Sequence, residues 1–480
     1  MKMLINGQKK DASNNSVIET LNMATMEVID TIPAGTIEDA QEAIAASLEG
    51  AKIWSTTPTY KRVDIIKKFV GKLRGNSEEL AQLLCVESGK PLAHAQNELA
   101  TAARIFEGFA EESKRLFGQT IPLDIQPGLE SDFLLTKREP LGVIVGILAF
   151  NFPAELFAQK VGAALASGNA IIVKPPEDDS LTCIRMAEML LEAGVPGNVL
   201  QVVTGYGEVV GDYLSKSPQV NGISFTGSSR VGEIISRNAS KNITRTFLEL
   251  SGNDAFTVFE DADIDLALEH AVMGRLYGNG QVCVSTKRIL VEKSRFNEFK
   301  EKLIEVVSIK KYGDPLDNNS DIGPVINVKA AEHIESQINN AVSNGAKLLL
   351  GGKRKDAFVE PTVLEASKHM DIAKDEEIFG PVFCLIPFEG IDEAIEITNS
   401  SSFGLGGAVF TKDIYKAMEA ANRIEAGMVS INGGNCYRPD CSAFGGYKKS
   451  GIGREGTAYT MEEFTQIKNI VLRGVMSHFS

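Results

Sequence analysis

The chain has 480 residues, a formal net charge of −14 at pH 7 and 43% hydrophobic residues. This length predicts about two or three domains with large cores, and the composition is that of an ordinary globular protein. The acidic balance argues against nucleic acid as a partner, which would require a basic face. No apolar run approaches the ~20 residues of a membrane span, so we expect a soluble protein without a membrane partner.

The cysteines and histidines narrow the class of protein further. The six cysteines form no Cys-x-x-Cys pair, and the five histidines show no metal-ligand spacing. We therefore expect reduced thiols and no metal site. Residues 1–7 contain no apolar segment of the kind found in a secretory signal, which favours a cytoplasmic location.

The sequence predicts short strands and turns over residues 1–35, followed by a series of helices. Asn6-Gly7 predicts a hairpin, residues 36–39 have the pattern of a capping box that opens a helix, and residues 60–117 have the periodicity of successive helices. Residues 118–141 interrupt this pattern with two β-like runs on either side of a turn at Pro127-Gly128. This excursion is either a plain surface hairpin or a segment that pairs with another subunit.

From residue 142 to residue 250, short apolar strands alternate with helical segments. This alternation is typical of βαβ units that form a parallel sheet buried on both faces. Such sheets bind ligands at the carboxyl ends of their strands, so we expect ligand-binding residues directly after each strand. The residues in these positions are Asn151-Phe152-Pro153, Lys174-Pro175-Pro176-Glu177, Gly205-Tyr206-Gly207 with Gly211, Thr226-Gly227-Ser228-Ser229-Arg230-Val231-Gly232, and Glu249.

Several of these residues suit a nucleotide. The turn at 226–232 offers backbone N–H groups and a helix N-terminus to a pyrophosphate, although it lacks the strict G-x-G-x-x-G spacing. Lys174 could hold a ribose or a phosphate, but a surface lysine is the commoner interpretation. Glu177 could accept hydrogen bonds from ribose hydroxyls and would repel a 2′-phosphate.

A second α/β unit follows residue 250 and contains a cysteine in a glycine-rich bend at 278–285. A thiol in such a bend can face a cleft, because glycines adopt positive φ and leave room beside the sulfur. Glu249 lies at an apolar strand end 34 residues before Cys283. A nucleophile with a nearby base is the arrangement of covalent catalysis. Taken alone, the thiol is more often a small buried side chain, and the glutamate a solvated or salt-bridged one.

Two later stretches combine glycine with charged or aromatic residues. Residues 375–382 place carboxylates and an aromatic ring at a Gly-Pro bend. The loop at 432–443 carries Arg438-Pro439-Asp440. Arg438 could bind a hydroxyl, a carboxylate or another small anion, or it could form an ion pair with Asp440. The tail at 464–472 is predicted to be a strand.

These motifs, in this order and at these spacings, resemble the aldehyde dehydrogenase superfamily over almost the whole chain. The departures are Ser251 where the family usually has glycine, Arg230 where it often has an acidic residue, and Ala149-Phe150 in place of Pro-Trp. The motifs that carry the resemblance are Phe150-Asn151-Phe152-Pro153, Lys174-Pro175, Phe225-Thr226-Gly227-Ser228, Leu248-Glu249-Leu250, Gly280-Gln281-Val282-Cys283, Glu377-Ile378-Phe379-Gly380-Pro381 and Phe444-Gly445-Gly446.

The resemblance implies an α/β fold in three parts. A Rossmann-like, parallel-sheet cofactor domain would comprise residues 1–118 and 142–250, and an α/β catalytic domain would comprise 251–445. A β bridging element would combine 119–141 with 460–480. The hairpin at 118–141 then looks like an oligomerisation element, and we expect a homodimer or a homotetramer.

The resemblance also implies oxidation of an aldehyde with NAD, or alternatively NADP. Cys283 would add to the aldehyde as a thiolate, and the Asn151 amide with the Cys283 N–H would stabilise the oxyanion. Glu249 would activate the water that hydrolyses the resulting thioester. The implied cofactor contacts are Glu377 and Phe379 at the nicotinamide ribose, Lys174 and Glu177 at the adenine ribose, Gly227 and Ser228 at the pyrophosphate, and Gly207 and Gly211 at the adenine. Glu177 favours NAD over NADP.

The substrate follows from the tunnel residues that the resemblance implies, which include Phe152, Gln159 and Arg438. Family members that oxidise succinate semialdehyde tend to have arginines at the positions of Gln159 and Tyr277, so both residues count against that substrate. The loop at Arg438-Pro439-Asp440 looks like that of the lactaldehyde and glyceraldehyde branch. We therefore predict a small polar aliphatic aldehyde.

Three alternatives remain open. The first is a dehydrogenase of succinate semialdehyde or another acid semialdehyde. The second is a CoA-acylating aldehyde dehydrogenase, against which Glu249 argues because such members tend to lack this base. The third is a catalytically retired protein on the same fold, against which the presence of Cys283, Glu249 and Asn151 argues.

Overall fold

The computed structural model describes residues 1–478, and a sheet of eight strands organises its first half. The five central strands are parallel, and their order in the sheet, 3-2-1-4-5 in chain sequence, is that of a doubly wound fold. From edge to edge, the strands are Gln8–Lys10, Met3–Ile5, Leu200–Val202, Ala170–Lys174, Val143–Ile147, Gly222–Thr226, Arg245–Glu249 and Gly451–Ile452.

Both faces of this sheet are buried. Along the strand Val143–Ile147, Ile144 packs into one hydrophobic core, whereas Val143 and Val145 pack into the core on the other side. The apolar strands predicted between 142 and 250 are confirmed, because such runs are stable in a parallel sheet only with helices on both faces. The helices of the first half are Ile37–Thr56, Thr59–Gly75, Ser77–Ser88, Leu92–Glu112, Ser113–Arg115, Pro153–Phe157, Ala158–Gly162, Ala163–Ser167, Leu181–Ala193, Gly207–Gly211, Asp212–Lys216 and Ser229–Ser240.

A second sheet of seven strands organises the second half of the chain. All neighbouring strands are parallel except Lys347–Leu350 at one edge, which is antiparallel. From edge to edge, the strands are Lys347–Leu350, Thr362–Glu365, Val382–Phe388, Arg288–Glu292, Ala255–Val258, Gly406–Phe410 and Met428–Ile431. The helices are Ile264–Leu276, Tyr277–Gly280, Phe296–Ser308, Val328–Ser343, Asp371–Ala373, Gly390–Asn399, Ile414–Arg423, Thr457–Glu463 and Val475–His478.

A third, antiparallel sheet joins the tail to the predicted hairpin. Strand Phe133–Pro140 lies between Thr120–Ile121 and Thr465–Leu472, and it pairs with the latter over eight residues. The predicted α/β class is confirmed. The domain boundaries remain a prediction, and residues 479–480 of the predicted bridging element lie outside the described residues. Three smaller hairpins or pairs are Val17–Asn22 with Glu27–Pro33, Arg354–Lys355 with Phe358–Val359, and Phe403–Gly404 with Tyr447–Lys448.

Two local predictions are confirmed by the backbone. Asn6 and Gly7 have φ of 52° and 74°, the left-handed values that a tight hairpin turn requires. Thr36 and Asp39 form a capping box, in which each side chain accepts a hydrogen bond from the other's backbone N–H, at 3.3 Å and 2.9 Å. None of the helices within residues 1–478 is long and apolar enough to cross a membrane.

Two buried carboxyl groups meet below the loop that follows strand Ala170–Lys174. The Glu87 carboxylate accepts hydrogen bonds from the backbone N–H groups of Leu181 and Thr182, at 2.8 Å and 2.9 Å. It also contacts the Asp179 carboxyl, and both side chains are fully buried. Burial, followed by the charge of Glu87, raises the pKa of Asp179 well above its ordinary value. We therefore expect Asp179 to keep its proton, which can be shared with Glu87.

We expect Asp179→Asn to stabilise the protein increasingly as the pH rises. An acid whose pKa is raised by folding stabilises the native state less as the pH increases above its unfolded pKa, by at most about 1.4 kcal/mol per pH unit. The asparagine N–H can donate to Glu87 without this loss. The gain in melting temperature of the variant over the native chain should therefore be larger at pH 8 than at pH 5.

The matched control for this measurement is Asp124→Asn, which removes an exposed carboxylate and should leave the melting temperature almost unchanged at both pH values. If the effect of Asp179→Asn is the same at pH 5 and pH 8, the shared proton is contradicted.

Candidate active site

A cavity of about 230 Å³ lies at the carboxyl ends of the parallel strands of the first sheet. The neighbouring strands Val143–Ile147 and Gly222–Thr226 both end at it, and they form the switch point of this sheet, where α/β folds bind ligands. Seven residues predicted from the sequence line this one cavity. Its lining residues are Ala149, Phe150, Asn151, Thr226, Gly227, Ser228, Glu249, Leu250, Ser251, Cys283, Glu377 and Phe379.

The backbone conformation of the cysteine loop explains why the thiol reaches this cavity. Asn279 and Gly280 have φ of 60° and 75°, and the Asn279 amide fixes the bend by donating to the carbonyl oxygens of Gly89 and Pro324, at 2.9 Å and 2.8 Å. A Cβ atom on Gly280 would lie 2.4 Å from the Gly380 backbone. Glycine at this position therefore lets the cysteine loop approach the 377–381 loop.

The thiol and the predicted base are neighbours. Cys283 is partly exposed, whereas Glu249 is buried, lies in electrostatic contact with the Cys283 side chain, and has no hydrogen-bond partner for its Oε1 among the described residues. Burial, reinforced by the charge of Glu455, raises the pKa of Glu249 to about 8. Burial and the charge of Glu249 also raise the pKa of the Cys283 thiol well above its ordinary value. At neutral pH the pair is therefore mostly a neutral thiol beside a neutral carboxyl group.

A cluster of three charged side chains, Lys160, Glu455 and Arg438, acts electrostatically on Glu249. Lys160 donates hydrogen bonds to the Thr226 hydroxyl, at 2.9 Å, and to the Glu455 carboxylate, at 3.0 Å. Arg438 donates to the other oxygen of Glu455 at 2.8 Å. Although burial acts in the opposite direction, Lys160 and Arg438 lower the pKa of Glu455 to about 2. The same two cations lower the pKa of Glu249 and so limit the effect of its burial.

The predicted oxyanion residue is fixed through its backbone. The Asn151 carbonyl oxygen accepts a hydrogen bond from Lys90 at 2.8 Å, and Lys90 forms a buried ion pair with Glu98. Glu98 in turn accepts from the Ala154 N–H at 2.8 Å. The buried Oδ1 of Asn151 has no hydrogen-bond partner among the described residues. Asn151 lines the cavity, and its Oδ1 is available as an acceptor to a ligand there.

The residues predicted for the adenine side of a cofactor lie together. Lys174 forms an ion pair with Glu177 at 2.8 Å, and Glu177 accepts a hydrogen bond from the Gly207 N–H at 2.6 Å. Gly207 and Gly211 are the first and last residues of one helical turn. Ser228 caps helix Ser229–Ser240, and its hydroxyl accepts from Val231 N–H at 3.4 Å.

The residues predicted for the nicotinamide side are joined by a lysine. Lys287 pairs with Glu377 at 2.7 Å and lies 5.8 Å from the centre of the Phe379 ring. It also donates to the Gly252 carbonyl oxygen at 2.5 Å and contacts the Cys283 carbonyl oxygen. Lys287 therefore ties the glutamate to the cysteine loop.

None of the three predicted substrate residues, Phe152, Gln159 and Arg438, lines the cavity described above. Phe152 stacks on Tyr277 with ring centres 5.7 Å apart, and Arg438 lies over the Phe444 ring at 3.9 Å. Gln159 is 2% exposed, and its Oε1 has no hydrogen-bond partner among the described residues.

An ion pair between Arg438 and Asp440, one of the two interpretations of this loop, is wrong. Arg438 instead pairs with Glu455 at 2.8 Å and with Glu155 at 3.6 Å. Asp440 pairs with Arg104 at 3.4 Å. Neighbours in sequence point in different directions here, so proximity along the chain did not predict the pairing.

The sequence interpretation missed four charged residues of this site, Glu155, Lys160, Lys287 and Glu455. A detectable signal existed for Lys160, which is a lone charge in the apolar segment 156–166 and is 1% exposed. Lys287 and Glu455 lie beside polar or glycine-rich stretches, where a charged residue is usually solvated. Glu155 lies in the first turn of a helix, where an acidic residue is common for a local reason. Within residues 1–478, no group of three or more His, Cys, Asp or Glu side chains is placed to hold a metal ion.

This chain is similar to known proteins over nearly its whole length. The model of the Aldehyde dehydrogenase family matches residues 9–470. The mitochondrial succinate-semialdehyde dehydrogenase of Arabidopsis thaliana is 38% identical over 99% of this chain and 90% of its own length. Lactaldehyde dehydrogenase of Methanocaldococcus jannaschii is 38% identical over 96% and 98%. The solved structure of succinate-semialdehyde dehydrogenase from Burkholderia pseudomallei, 37% identical, matches with a TM-score of 0.95 over 98% of both chains.

Proposed function

The chain belongs to the aldehyde dehydrogenase family and oxidises an aldehyde with NAD or NADP; we propose that its substrate is a small polar aliphatic aldehyde and its product the free acid. One observation carries the proposal. Cys283, Glu249 and Asn151, which carry a thiol, a carboxyl group and an amide, line the same cavity. A nucleophile, a base and an oxyanion donor are the groups that this reaction requires.

In the first step, Cys283 adds to the aldehyde carbon. The thiol and Glu249 line the same cavity, so the carboxylate form of Glu249 can take the proton as the carbon–sulfur bond forms. The negative charge that develops on the aldehyde oxygen is stabilised by the Asn151 amide and the Cys283 N–H. Loss of one such donor typically slows an enzyme by about 10²–10³-fold.

The second half of the reaction releases the acid. Bound NAD or NADP supplies the acceptor for the hydride that leaves the thiohemiacetal, and a thioester remains on Cys283. Glu249 then removes a proton from the water that attacks the thioester carbon, and the thiol is regenerated. Glu249 is the base that a CoA-acylating enzyme would not need, which disfavours that alternative.

The residues present fit a dinucleotide. The N-terminus of helix Ser229–Ser240, with Gly227 and Ser228 in the cavity wall, would hold the pyrophosphate through N–H groups that a helix leaves unpaired. Lys174, Glu177, Gly207 and Gly211 would hold the adenosine. Glu177 is already oriented by Lys174 and Gly207, which favours ribose hydroxyls over a 2′-phosphate and therefore NAD. Glu377 and Phe379, held by Lys287, would contact the nicotinamide ribose.

The partners that we propose are the aldehyde and further copies of this chain. Strand Thr465–Leu472 lies at the edge of its sheet, with Ile467 62% and Val471 51% exposed. An apolar edge strand is usually covered by another strand or another subunit. The acidic net charge of −14 disfavours nucleic acid, and reduced cysteines would suit the cytoplasm.

Replacing the nucleophile tests the proposed chemistry. In Cys283→Ser, formation of NADH from NAD and a small aldehyde should fall by about 10³-fold or more, because the weaker serine nucleophile has no thiolate form. The control is Cys441→Ser, which makes the same change at an exposed cysteine and should retain activity. Near-native NADH formation by a folded Cys283→Ser protein would refute the assigned nucleophile.

Replacing an edge residue tests the oligomer. We expect light scattering to give a multiple of the 51.8 kDa chain mass for the native protein and a lower average mass for Ile467→Glu, because the new charge opposes burial of the strand. Ile243→Glu changes an isoleucine that is 90% exposed in a turn and should not alter the mass. A monomeric native protein would contradict this assignment.

A further inference from the structure

A pair of charged side chains adjoins the nucleophile on the side of Phe444. The Arg438 guanidinium lies over the Phe444 ring, 3.9 Å from its centre, and Phe444 packs in one apolar cluster with Val282, Val284 and Cys283. Arg438 lowers the pKa of both Glu249 and Cys283. Arg438 therefore stacks on a ring that packs beside the nucleophile, and a small aldehyde bound to Cys283 would lie near it.

The two groups of this pair are close but not hydrogen-bonded. Arg438 Nη1 and Glu155 Oε1 are 3.6 Å apart, which is too long for a hydrogen bond. The side chains are 16% and 19% exposed, so both groups remain accessible. Arg438 thus keeps a donor, and Glu155 keeps an acceptor. A hydroxyl group can use both at once, because it donates one hydrogen bond and accepts another.

The formal charges within the ion-paired cluster that contains this pair are balanced. Arg438 and Lys160 supply two positive charges, and Glu455 and Glu155 supply two negative charges. A ligand carboxylate at this position would bring a further negative charge out of water and place it beside Glu155. Desolvation and like-charge repulsion would both oppose its binding.

We propose that Glu155 and Arg438 form a hydroxyl-binding pair that selects neutral hydroxyaldehydes over aldehydes with an acidic tail. The inference rests on the proposed function and specifies its substrate class. Glu155 is the residue that decides between the two classes, since its carboxylate both accepts the hydroxyl hydrogen bond and repels an anion. The lactaldehyde class, with a hydroxyl group on the carbon next to the aldehyde, meets this requirement.

The test compares three aldehydes with NAD as cofactor. Lactaldehyde carries the hydroxyl group, propionaldehyde has the same carbon skeleton without it, and succinate semialdehyde carries the carboxylate. For the native protein we expect kcat/KM to be highest for lactaldehyde and lowest for succinate semialdehyde. Glu155→Gln keeps the shape and removes the charge. It should raise the ratio of kcat/KM for succinate semialdehyde to that for lactaldehyde by about tenfold or more.

The matched control is Glu301→Gln, which makes the same change at an exposed glutamate and should leave this ratio as it is. A native protein that prefers succinate semialdehyde overturns the inference without any variant. The same conclusion follows if Glu155→Gln is active but leaves the ratio unchanged. Failure of the native protein to oxidise any of the three aldehydes would instead contradict the proposed substrate range, and the two failures are therefore distinguishable.

Discussion

The arrangement of this site depends on one constraint, a carboxyl group buried beside a thiol. Glu249 ends the parallel strand Arg245–Glu249, where the sheet removes it from water. Burial, reinforced by the charge of Glu455, raises its pKa to about 8. The positive charges of Lys160 and Arg438 lower the pKa of Glu249. Both side chains also form ion pairs with Glu455, which partly neutralises their charge. The balance leaves Glu249 able to hold or release a proton near neutral pH.

The site needs both halves of the chain. The first sheet supplies the strand ends with Asn151, Gly227 and Glu249, and the second half supplies the loops with Cys283 and Glu377. Contacts between these loops are made possible by Gly280, where any side chain would strike the Gly380 backbone. A change in the conformation of the cysteine loop would therefore move Cys283 away from Glu249. Buried hydrogen bonds from Asn279 to Gly89 and Pro324 hold this loop in place.

Local patterns predicted the strands, the helix cap at residue 36 and the candidate nucleophile and base, because those signals lie within a few neighbouring residues. Long-range pairing was not predictable in this way. Lys160 and Glu455 are 295 residues apart in the chain, and their partnership is set by how the two halves pack. Arg438 shows the same limit, since the adjacent Asp440 was an equally plausible partner until the fold placed Glu455 and Glu155 closer.

The role of Glu249 is tested most directly by the pH dependence of thioester hydrolysis. Protein, NAD and propionaldehyde are mixed rapidly, and the Cys283 adduct is monitored over time by mass spectrometry. If Glu249 is the base, the hydrolysis rate should rise through an inflection near pH 8, because burial raises the pKa of Glu249 to about 8, and level off above it. Glu249→Gln should accumulate the adduct and lose the inflection. An inflection near the ordinary glutamate pKa of 4.5, or unchanged hydrolysis in Glu249→Gln, would contradict the central role of the buried carboxyl group.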